Sequence, residues 1–265
     1  MTTDGAPPAG VLRAFGVSDI EPTRLSGGEG TSWRAGPLVV KPATDARFAT
    51  WHAGLMADLP EADFRVARPV AAGDGTWVAE GWSASRWIPG THEHRWLDVV
   101  AAGEAFHRSL SSIDPPALLS ERTDHWAIGD RVAWEEAGVP ELSDNHRIAV
   151  ELLLSSLEPV ELEPKLIHGD LTENVLFAEG LPPAVIDMAP YRRPVGFASA
   201  VVVGDALLWF DGDARLAEAV AESTPRFGQL LRRALIYRLV SGSLAGAVDT
   251  PGGTEVAISV ATALR

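Results

Sequence analysis

The chain has 265 residues, 46% of them apolar, and carries a net charge of −14 with a pI near 4.9. A nucleic-acid-binding protein needs a basic surface, so this charge argues against that class. The absence of cysteine excludes disulfides, thiolate catalysis and cysteine-ligated zinc sites. The length is enough for one large domain or for two smaller units with their own cores.

No targeting or membrane segment is expected. Residues 1–10 lack the basic start and the apolar stretch of a signal peptide. No apolar run approaches the ~18 residues that a membrane-spanning helix needs. These features predict a soluble, cytoplasmic protein without a membrane partner.

The first part of the chain is predicted to be rich in strands. We expect a short helix or strand at residues 11–17, a strand at 37–42, a helix at 45–59 capped by Thr44, a hairpin of strands 64–72 and 76–81 around a turn at 73–75, and an extended run at 82–88. Helices are predicted after that, at residues 96–110, 145–157, 201–210, 215–222, 227–248 and 255–264. The change of character predicts a small β-rich lobe at residues 1–85 and a larger, mostly helical lobe at residues 86–265.

Residues 166–177 carry the most specific pattern in the chain. They read Leu-Ile-His-Gly-Asp-Leu-Thr-Glu-Asn-Val-Leu-Phe, with apolar residues around a polar core that contains Asp170 and Asn174. A second apolar run, 183–188, carries Asp187 near its end. Two acids and an amide on adjacent loops can hold Mg²⁺ and a hydroxyl together, as phosphoryl transfer requires. The simpler alternative is a turn in which Asp170 and Asn174 bind nearby backbone groups.

Two further features fit a nucleotide site. Gly27, Gly28 and Gly30 allow consecutive backbone N–H groups to approach phosphate oxygens, although a tight hairpin turn would use the same residues. The turn is neither a Walker A loop nor a dinucleotide fingerprint. Lys41, one of only two lysines among 22 basic residues, ends an apolar strand. It either extends along the surface to solvent or reaches nucleotide phosphates.

Four features follow one another along the chain: the glycine turn, the strand lysine, the His-Gly-Asp motif with its asparagine, and the aspartate of the second apolar run. This ordered set resembles the motifs of the aminoglycoside-phosphotransferase-like family, whose members have the protein-kinase-like fold. The chain is also similar to an actinobacterial branch of that family with no assigned substrate. The resemblance implies an α+β, two-lobed fold in which the N-terminal lobe binds the nucleotide. The C-terminal lobe would carry out catalysis and bind the acceptor.

The resemblance also implies roles for individual residues, with ATP and Mg²⁺ as cofactors. Asp170 would be the catalytic base, Asn174 and Asp187 would bind Mg²⁺, Lys41 would bind phosphates, and the run containing Ser85, Trp87 and Ile88 would be the hinge that pairs with adenine. From the residues themselves, His168 is expected to support the loop backbone. Asp205 is expected to be a buried acid that hydrogen-bonds the catalytic loop.

The chain departs from the family pattern in three places. The predicted helix at 45–59 has no glutamate to pair with Lys41, since Asp58 lies near its end and Glu61 beyond it. The catalytic loop is one residue shorter than in protein kinases, and Met188 replaces an aromatic residue. These departures favour an alternative: a weak or inactive kinase-fold protein that binds nucleotide or acts as a scaffold.

The expected acceptor is a hydroxyl of a small molecule: an aminoglycoside-like compound, another amine-bearing compound or a sugar. Five acids of the helical lobe are predicted to receive an amine, namely Asp124, Asp130, Glu135, Glu136 and Asp144. A protein acceptor is disfavoured because no Ala-Pro-Glu segment follows Asp187. The sequence sets no oligomeric state.

Overall fold

The computed structural model describes residues 5–26, 30–246 and 252–264. The helices in this part of the chain are α1 (Ala9–Ala14), α2 (Ala46–Asp58), α3 (Trp96–Leu110), α4 (His125–Ala133), α5 (Asp144–Ser155), α6 (Val195–Trp209), α7 (Ala214–Ala221), α8 (Phe227–Ala245) and α9 (Gly253–Ala263), with a 3-10 helix at Ala117–Glu121. The strands are β1 (Thr23–Arg24), β2 (Trp33–Ala35), β3 (Leu38–Pro42), β4 (Arg65–Val66), β5 (Pro69–Val70), β6 (Val78–Ala79), β7 (Trp82–Arg86), β8 (Lys165–His168), β9 (Val175–Ala178), β10 (Leu181–Val185) and β11 (Pro190–Arg193).

The chain divides into two compact units. The first holds the described residues up to Thr91 together with Leu176–Ile186, and the second holds His92–Val175 and the described residues from Asp187 onward. The assignment of nucleotide binding to residues 1–85, and of catalysis and acceptor binding to residues 86–265, stays a prediction.

The first unit is built on an antiparallel sheet. Its strands follow the order β1-β2-β3-β7-β5, and β6 also pairs with β7. Leu38 and Val40 of β3 are buried while Val39 between them is half-buried, as expected of a strand with one face on a core. Val11 of α1 and Phe15, the residue that follows this helix, belong to the same apolar cluster as Trp82 of β7. Alternation along β3 therefore gives this sheet its buried face.

Two local predictions in this unit are wrong. Strands 64–72 and 76–81 do not form a hairpin, because β5 and β6 each pair with β7, and β4 pairs in parallel with β10. Asp45, not Thr44, caps α2: its carboxylate accepts hydrogen bonds from the N–H groups of Arg47 and Phe48 at 2.9 and 3.1 Å. Asp45 directly precedes the first helical residue, which is where a capping side chain reaches these donors.

Helix α8 is the core of the second unit. All its residues from Phe227 to Ser241 are buried, and it packs against α4, α5 and α6. α6 is likewise buried from Phe197 to Leu208, as expected of a helix that is apolar on all sides. The strands β8 and β11 form an antiparallel pair beside these helices, with His168 opposite Pro190.

The α+β fold class is confirmed. The predicted helix at 96–110 coincides with α3, and the predicted helices after it correspond to α5 through α9. The predicted end of the helix at 227–248 lies outside the described residues, whereas α4 and the 3-10 helix were not predicted. Within the described residues, no helix is both long and apolar enough to cross a bilayer.

Candidate active site

The strand pair β8–β11 brings the two motif segments together. Because the strands are antiparallel, the loop after β8 and the residues before β11 lie at the same end of the pair. The N–H of Gly169 donates to the carbonyl of Ala189 at 2.8 Å, which extends the pairing by one step. Asp187 lies just before this contact, on an exposed turn with a left-handed backbone, φ 50°. The segments that carry Asp170 and Asp187 are thus hydrogen-bonded neighbours.

His168 joins these segments through its ring. It is fully buried, and its Nδ1 accepts hydrogen bonds from the N–H groups of Asp170 at 3.1 Å and Ala189 at 3.3 Å. Its own N–H donates to Nε2 of His107 at 3.0 Å. Burial, assisted by the nearby His168, lowers the pKa of His107 from 6.5 to about 3, so this ring is neutral and can accept that bond.

Gly169 leaves room for an aromatic ring. A Cβ on this residue would overlap the ring of Tyr191, which lies on β11. The hydroxyl of Tyr191 is 3.1 Å from that of Tyr237 on α8. A glycine between the histidine and the aspartate therefore permits the close contact between the loop and β11.

Asp170 and Asn174 belong to one closed turn. The side-chain N–H₂ of Asn174 donates to the carbonyl of Asp170 at 2.7 Å and to its carboxylate Oδ2 at 3.3 Å. Glu173 completes the turn with a left-handed backbone, φ 57°. This arrangement contains the local Asx bonds of the simple-turn alternative, and it also fixes the amide beside the carboxylate.

The carboxylate of Asp170 is also bound from α8. Nη2 of Arg238 donates to Oδ1 of Asp170 at 2.5 Å, and the same guanidinium binds both oxygens of Asp205 at 2.7 and 2.8 Å. Burial raises the pKa of Asp205, and the charge of Arg238 opposes that rise. In these contacts Asp205 reaches the loop through Arg238.

The side chains of this turn and of the neighbouring segment offer the kind of oxygen that a divalent cation binds. Asn174 directs its amide nitrogen to Asp170, which leaves its oxygen as the ligand atom, and Asp187 supplies an exposed carboxylate on the neighbouring segment. No group of three or more His, Cys, Asp or Glu able to hold a metal occurs among the described residues. Two protein ligands completed by phosphate oxygens and water are what Mg²⁺ takes in phosphoryl-transfer sites, so the donor set is compatible with it.

In the first unit, Gly27 and Gly28 lie outside the described residues, and Gly30 closes the β1–β2 hairpin with φ 66°. Its carbonyl accepts a hydrogen bond from Nε of Arg24 at 2.6 Å. Lys41 lies on β3 opposite Ser83 of β7, half-buried. Gly30, in the connection from β1 to β2, and Lys41, on β3, thus belong to one sheet.

Glu61, the glutamate that follows α2, contacts Val66 of β4 and Arg68 just after this strand. It accepts a hydrogen bond from the N–H of Val66 at 2.8 Å and lies 3.4 Å from the guanidinium of Arg68. Its carboxylate thus connects the segment after α2 to β4. The structure thus gives Glu61 a local role between two elements.

Part of the predicted hinge is already hydrogen-bonded within the sheet. Ser85 stands between Val39 of β3 and Pro69 of β5, and the N–H of Trp87 donates to the carbonyl of Pro37 at 2.7 Å. The guanidinium carbon of Arg34 lies 4.3 Å from the centre of the Trp87 indole. Adenine pairing with Trp87 would therefore have to use its carbonyl, and Ile88 is the next candidate along the chain.

No family model matches this sequence, and no curated protein matches it. Solved structures do. A thermostable mutant of aminoglycoside phosphotransferase APH(4)-Ia, in ternary complex with AMP-PNP and hygromycin B, is similar over 92% of each chain, with 16% identity and a TM-score of 0.56. Amicoumacin kinase hAmiN, in complex with AMP-PNP, Ca²⁺ and Ami, is similar over 91% of this chain and 86% of its own, with 12% identity and a TM-score of 0.57. Choline kinase LicA from Streptococcus pneumoniae matches over 92% and 93%, with 13% identity and a TM-score of 0.58.

The chain has the kinase-like fold of these small-molecule phosphotransferases. The predicted resemblance to the aminoglycoside phosphotransferases is thereby confirmed at the level of the fold. With identities of 12 to 16%, the choice of substrate and the chemistry have to be argued from the residues.

Within this kinase-like fold, the five acids predicted to receive an amine are each paired with an arginine. The closest distances are 3.0 Å for Asp124 with Arg122, 2.7 Å for Asp130 with Arg193, 2.6 Å for Glu136 with Arg193, 3.1 Å for Glu135 with Arg233 and 3.2 Å for Asp144 with Arg147. These ion pairs place four arginines against the five acids, with Arg193 shared by Asp130 and Glu136. The structure therefore gives no support to amine binding by these acids.

Arg238 is the main residue of this candidate site that sequence reasoning missed. It stands in the run Ala-Leu-Ile-Tyr-Arg-Leu-Val, where one cation interrupts an apolar stretch of a helix that is buried from Phe227 to Ser241. Such a cation needs a buried acid as its partner. That was the available signal, although the sequence could not say which acid it would meet.

Proposed function

We propose that this protein is an ATP- and Mg²⁺-dependent phosphotransferase that moves the γ-phosphoryl group of ATP to a hydroxyl of a small molecule. The observation that carries the proposal is the hydrogen-bonded turn of Asp170 and Asn174, joined through His168 and Gly169 to the segment of Asp187. The three side chains that phosphoryl transfer needs thus belong to adjacent segments of one unit.

Each residue would have its own task. Asp170 would accept the hydroxyl proton or orient the hydroxyl toward phosphorus. Asn174 and Asp187 would hold Mg²⁺ through their side-chain oxygens, and the ion would neutralise charge on the phosphates. Lys41 and the N–H groups around Gly27, Gly28 and Gly30 would bind the phosphates.

The matched structures support the use of a nucleotide and a small acceptor. APH(4)-Ia was captured with AMP-PNP and hygromycin B, and hAmiN with AMP-PNP and Ca²⁺. Since the five acids of the second unit already pair with arginines, we favour a neutral hydroxylated acceptor, such as a sugar, over a polyamine. The cytoplasm would supply the ATP for this reaction.

The test is an ATP-consumption screen with Mg²⁺ over sugars, other polyols, hydroxylated amines and aminoglycosides, followed by Asp170→Asn. We expect turnover with at least one acceptor and a fall in kcat of about 100-fold or more in the variant, since a general base contributes on that scale. ATP affinity should change little, because Asp170 is proposed to act on the acceptor.

Glu173→Gln is the matched control, because it removes an exposed carboxylate from the same turn without touching the proposed base. It should keep the wild-type rate. Equal rates for wild-type protein and Asp170→Asn would show that the base assignment is wrong. ATP binding without turnover on any acceptor would instead favour the scaffold alternative, which the lack of a glutamate in α2 supports.

A further inference from the structure

Arg238 is held in one orientation by a second carboxylate. Its Nε and Nη2 donate to the two oxygens of Asp205 at 2.8 and 2.7 Å, in the bidentate geometry that fixes the plane of a guanidinium. The side chains of both residues are buried, with 3% and 1% of their surface exposed. With that plane fixed by α6, Nη2 also meets Oδ1 of Asp170.

Aromatic rings surround the guanidinium. Its central carbon lies 5.4 Å from the ring centre of Trp126, 5.9 Å from that of Trp209 and 4.9 Å from that of Tyr237. Rings at these distances attract a cation and restrict its side-chain conformers. Arg238 is therefore a fixed charge on a buried helix.

The contact differentiates the two oxygens of Asp170. Oδ1 receives the short, charged bond from Arg238, whereas among the described residues Oδ2 receives the 3.3 Å bond from Asn174. The Asp170 side chain is 35% exposed, unlike Asp205, so one edge of it reaches solvent. Without Arg238, two carboxylates would repel each other in this buried setting, and Asp170 would lose the partner that fixes its rotation.

We propose that Arg238 is the positioning residue for Asp170: it fixes Oδ1 so that Oδ2 is presented to the acceptor hydroxyl. This inference rests on the proposed function, in which Asp170 handles the hydroxyl proton. Arg238 acts only through that carboxylate. Its loss should therefore lower kcat while leaving nucleotide affinity nearly unchanged.

The kinetic test compares Arg238→Met and Arg238→Lys with Arg233→Met in steady-state turnover of MgATP, using the acceptor from the screen, or water when none is found. Arg233 is a matched control, because it lies on the same helix, is equally buried and pairs with Glu135 instead of Asp170. We expect Arg238→Met to lower kcat at least ~10-fold with KM for ATP within about twofold. Arg238→Lys should be faster than Arg238→Met but slower than wild type, since a lysine keeps the charge but cannot make the bidentate contact with Asp205.

Arg233→Met should lower the Tm and keep kcat within about twofold of wild type. A wild-type kcat in Arg238→Met would overturn the proposal. An equal loss of kcat in Arg233→Met would also overturn it, since the effect would then be a general loss of folded structure.

A thermal double-mutant cycle separates this inference from the proposed function. It uses Asp170→Asn, Arg238→Met and their combination, and the double variant should lose clearly less Tm than the two single losses added together. Asp170→Asn combined with Arg233→Met should be additive. An additive Arg238 cycle would overturn the inference, whatever the activity. Coupling in a protein that turns over no ATP would support the link between Arg238 and Asp170 and overturn only the proposed function.

Discussion

Two buried histidines next to the Asp170 turn accept backbone hydrogen bonds through a ring nitrogen. His168 offers Nδ1 to two backbone N–H groups, and His107 offers Nε2 to a third, the N–H of His168. Each bond needs a lone pair on the ring nitrogen, which a proton would remove. The turn that places Asp170 therefore depends on a buried histidine staying uncharged.

His107 should make the folded state sensitive to acid. Its pKa is lowered by burial from 6.5 to about 3, so between these values the unfolded chain binds a proton that the folded chain excludes. Stability contributed by this residue is complete above pH 6.5 and falls as the pH drops toward 3, by up to about 1.4 kcal/mol per pH unit. In His107→Gln, which keeps an acceptor without a titrating group, the Tm should fall less steeply between pH 6.5 and 4, as scanning calorimetry would show.

The comparison variant for that experiment is His92→Gln, which removes an exposed histidine. It should reproduce the wild-type dependence of Tm on pH, including the part contributed by carboxylates. Parallel Tm curves for wild type and His107→Gln would show that His107 is not the source of the acid sensitivity.

At the scale of elements, the contact of α4 with α8 depends on one glycine. A Cβ on Gly129 would overlap the hydroxyl of Ser241 and lie 2.7 Å from the carbonyl of Tyr237, so the two helices meet backbone to backbone. Gly129→Ala should therefore lower the Tm by roughly 2 to 10 °C, the effect of about 1 to 3 kcal/mol of overpacking. Gly54→Ala in α2 meets nothing within 4 Å and should raise the Tm slightly, because alanine favours the helix. The same sign of shift in both variants would contradict this account.

Elements were predictable from the sequence where their signal is local. The helix at 96–110 could be placed because its apolar residues recur at helical spacing over fifteen positions, as α3 confirms. The pairing of β5 and β6 with β7 could not be predicted, because strands of two residues carry too short a pattern. Their pairing is determined by the tertiary fold. The cap of α2 was misplaced by one residue for a similar reason, because Thr44 and Asp45 are both good capping residues.

The site divides in the same way. Asp170, Asn174 and Asp187 lie within 18 residues of one another and share a pattern that phosphoryl transfer explains. Arg238 lies 68 residues from Asp170, and only the packing of α8 shows which acids it meets. Amine binding by the five acids was predicted because the sequence lists the acids without showing which arginines lie beside them.

At the scale of the whole molecule, the net charge of −14 coexists with arginines that are buried in ion pairs. Breaking a buried pair by removing one partner costs several kcal/mol, so Asp130 and Asp205, whose side chains are buried with their arginines, are held by the fold. A cationic acceptor would have to displace an arginine to use them. This is why the charge of the chain is a weaker guide to its substrate than the local pairing of each acid.

Nucleotide binding should be visible as stabilisation of the whole protein. A ligand at 100 times its Kd adds about 2.7 kcal/mol to the free energy of unfolding, which for a chain of this size is a rise in Tm of roughly 5 to 10 °C. We expect that rise with ATP plus Mg²⁺ and a clearly smaller one with ATP plus EDTA, because the ion held by Asn174 and Asp187 would join the phosphates to the protein. In Asp187→Ala the two conditions should give nearly the same Tm. A full Mg²⁺-dependent shift in that variant would remove Asp187 from the metal site, and no shift with any nucleotide in the wild-type protein would remove nucleotide binding itself.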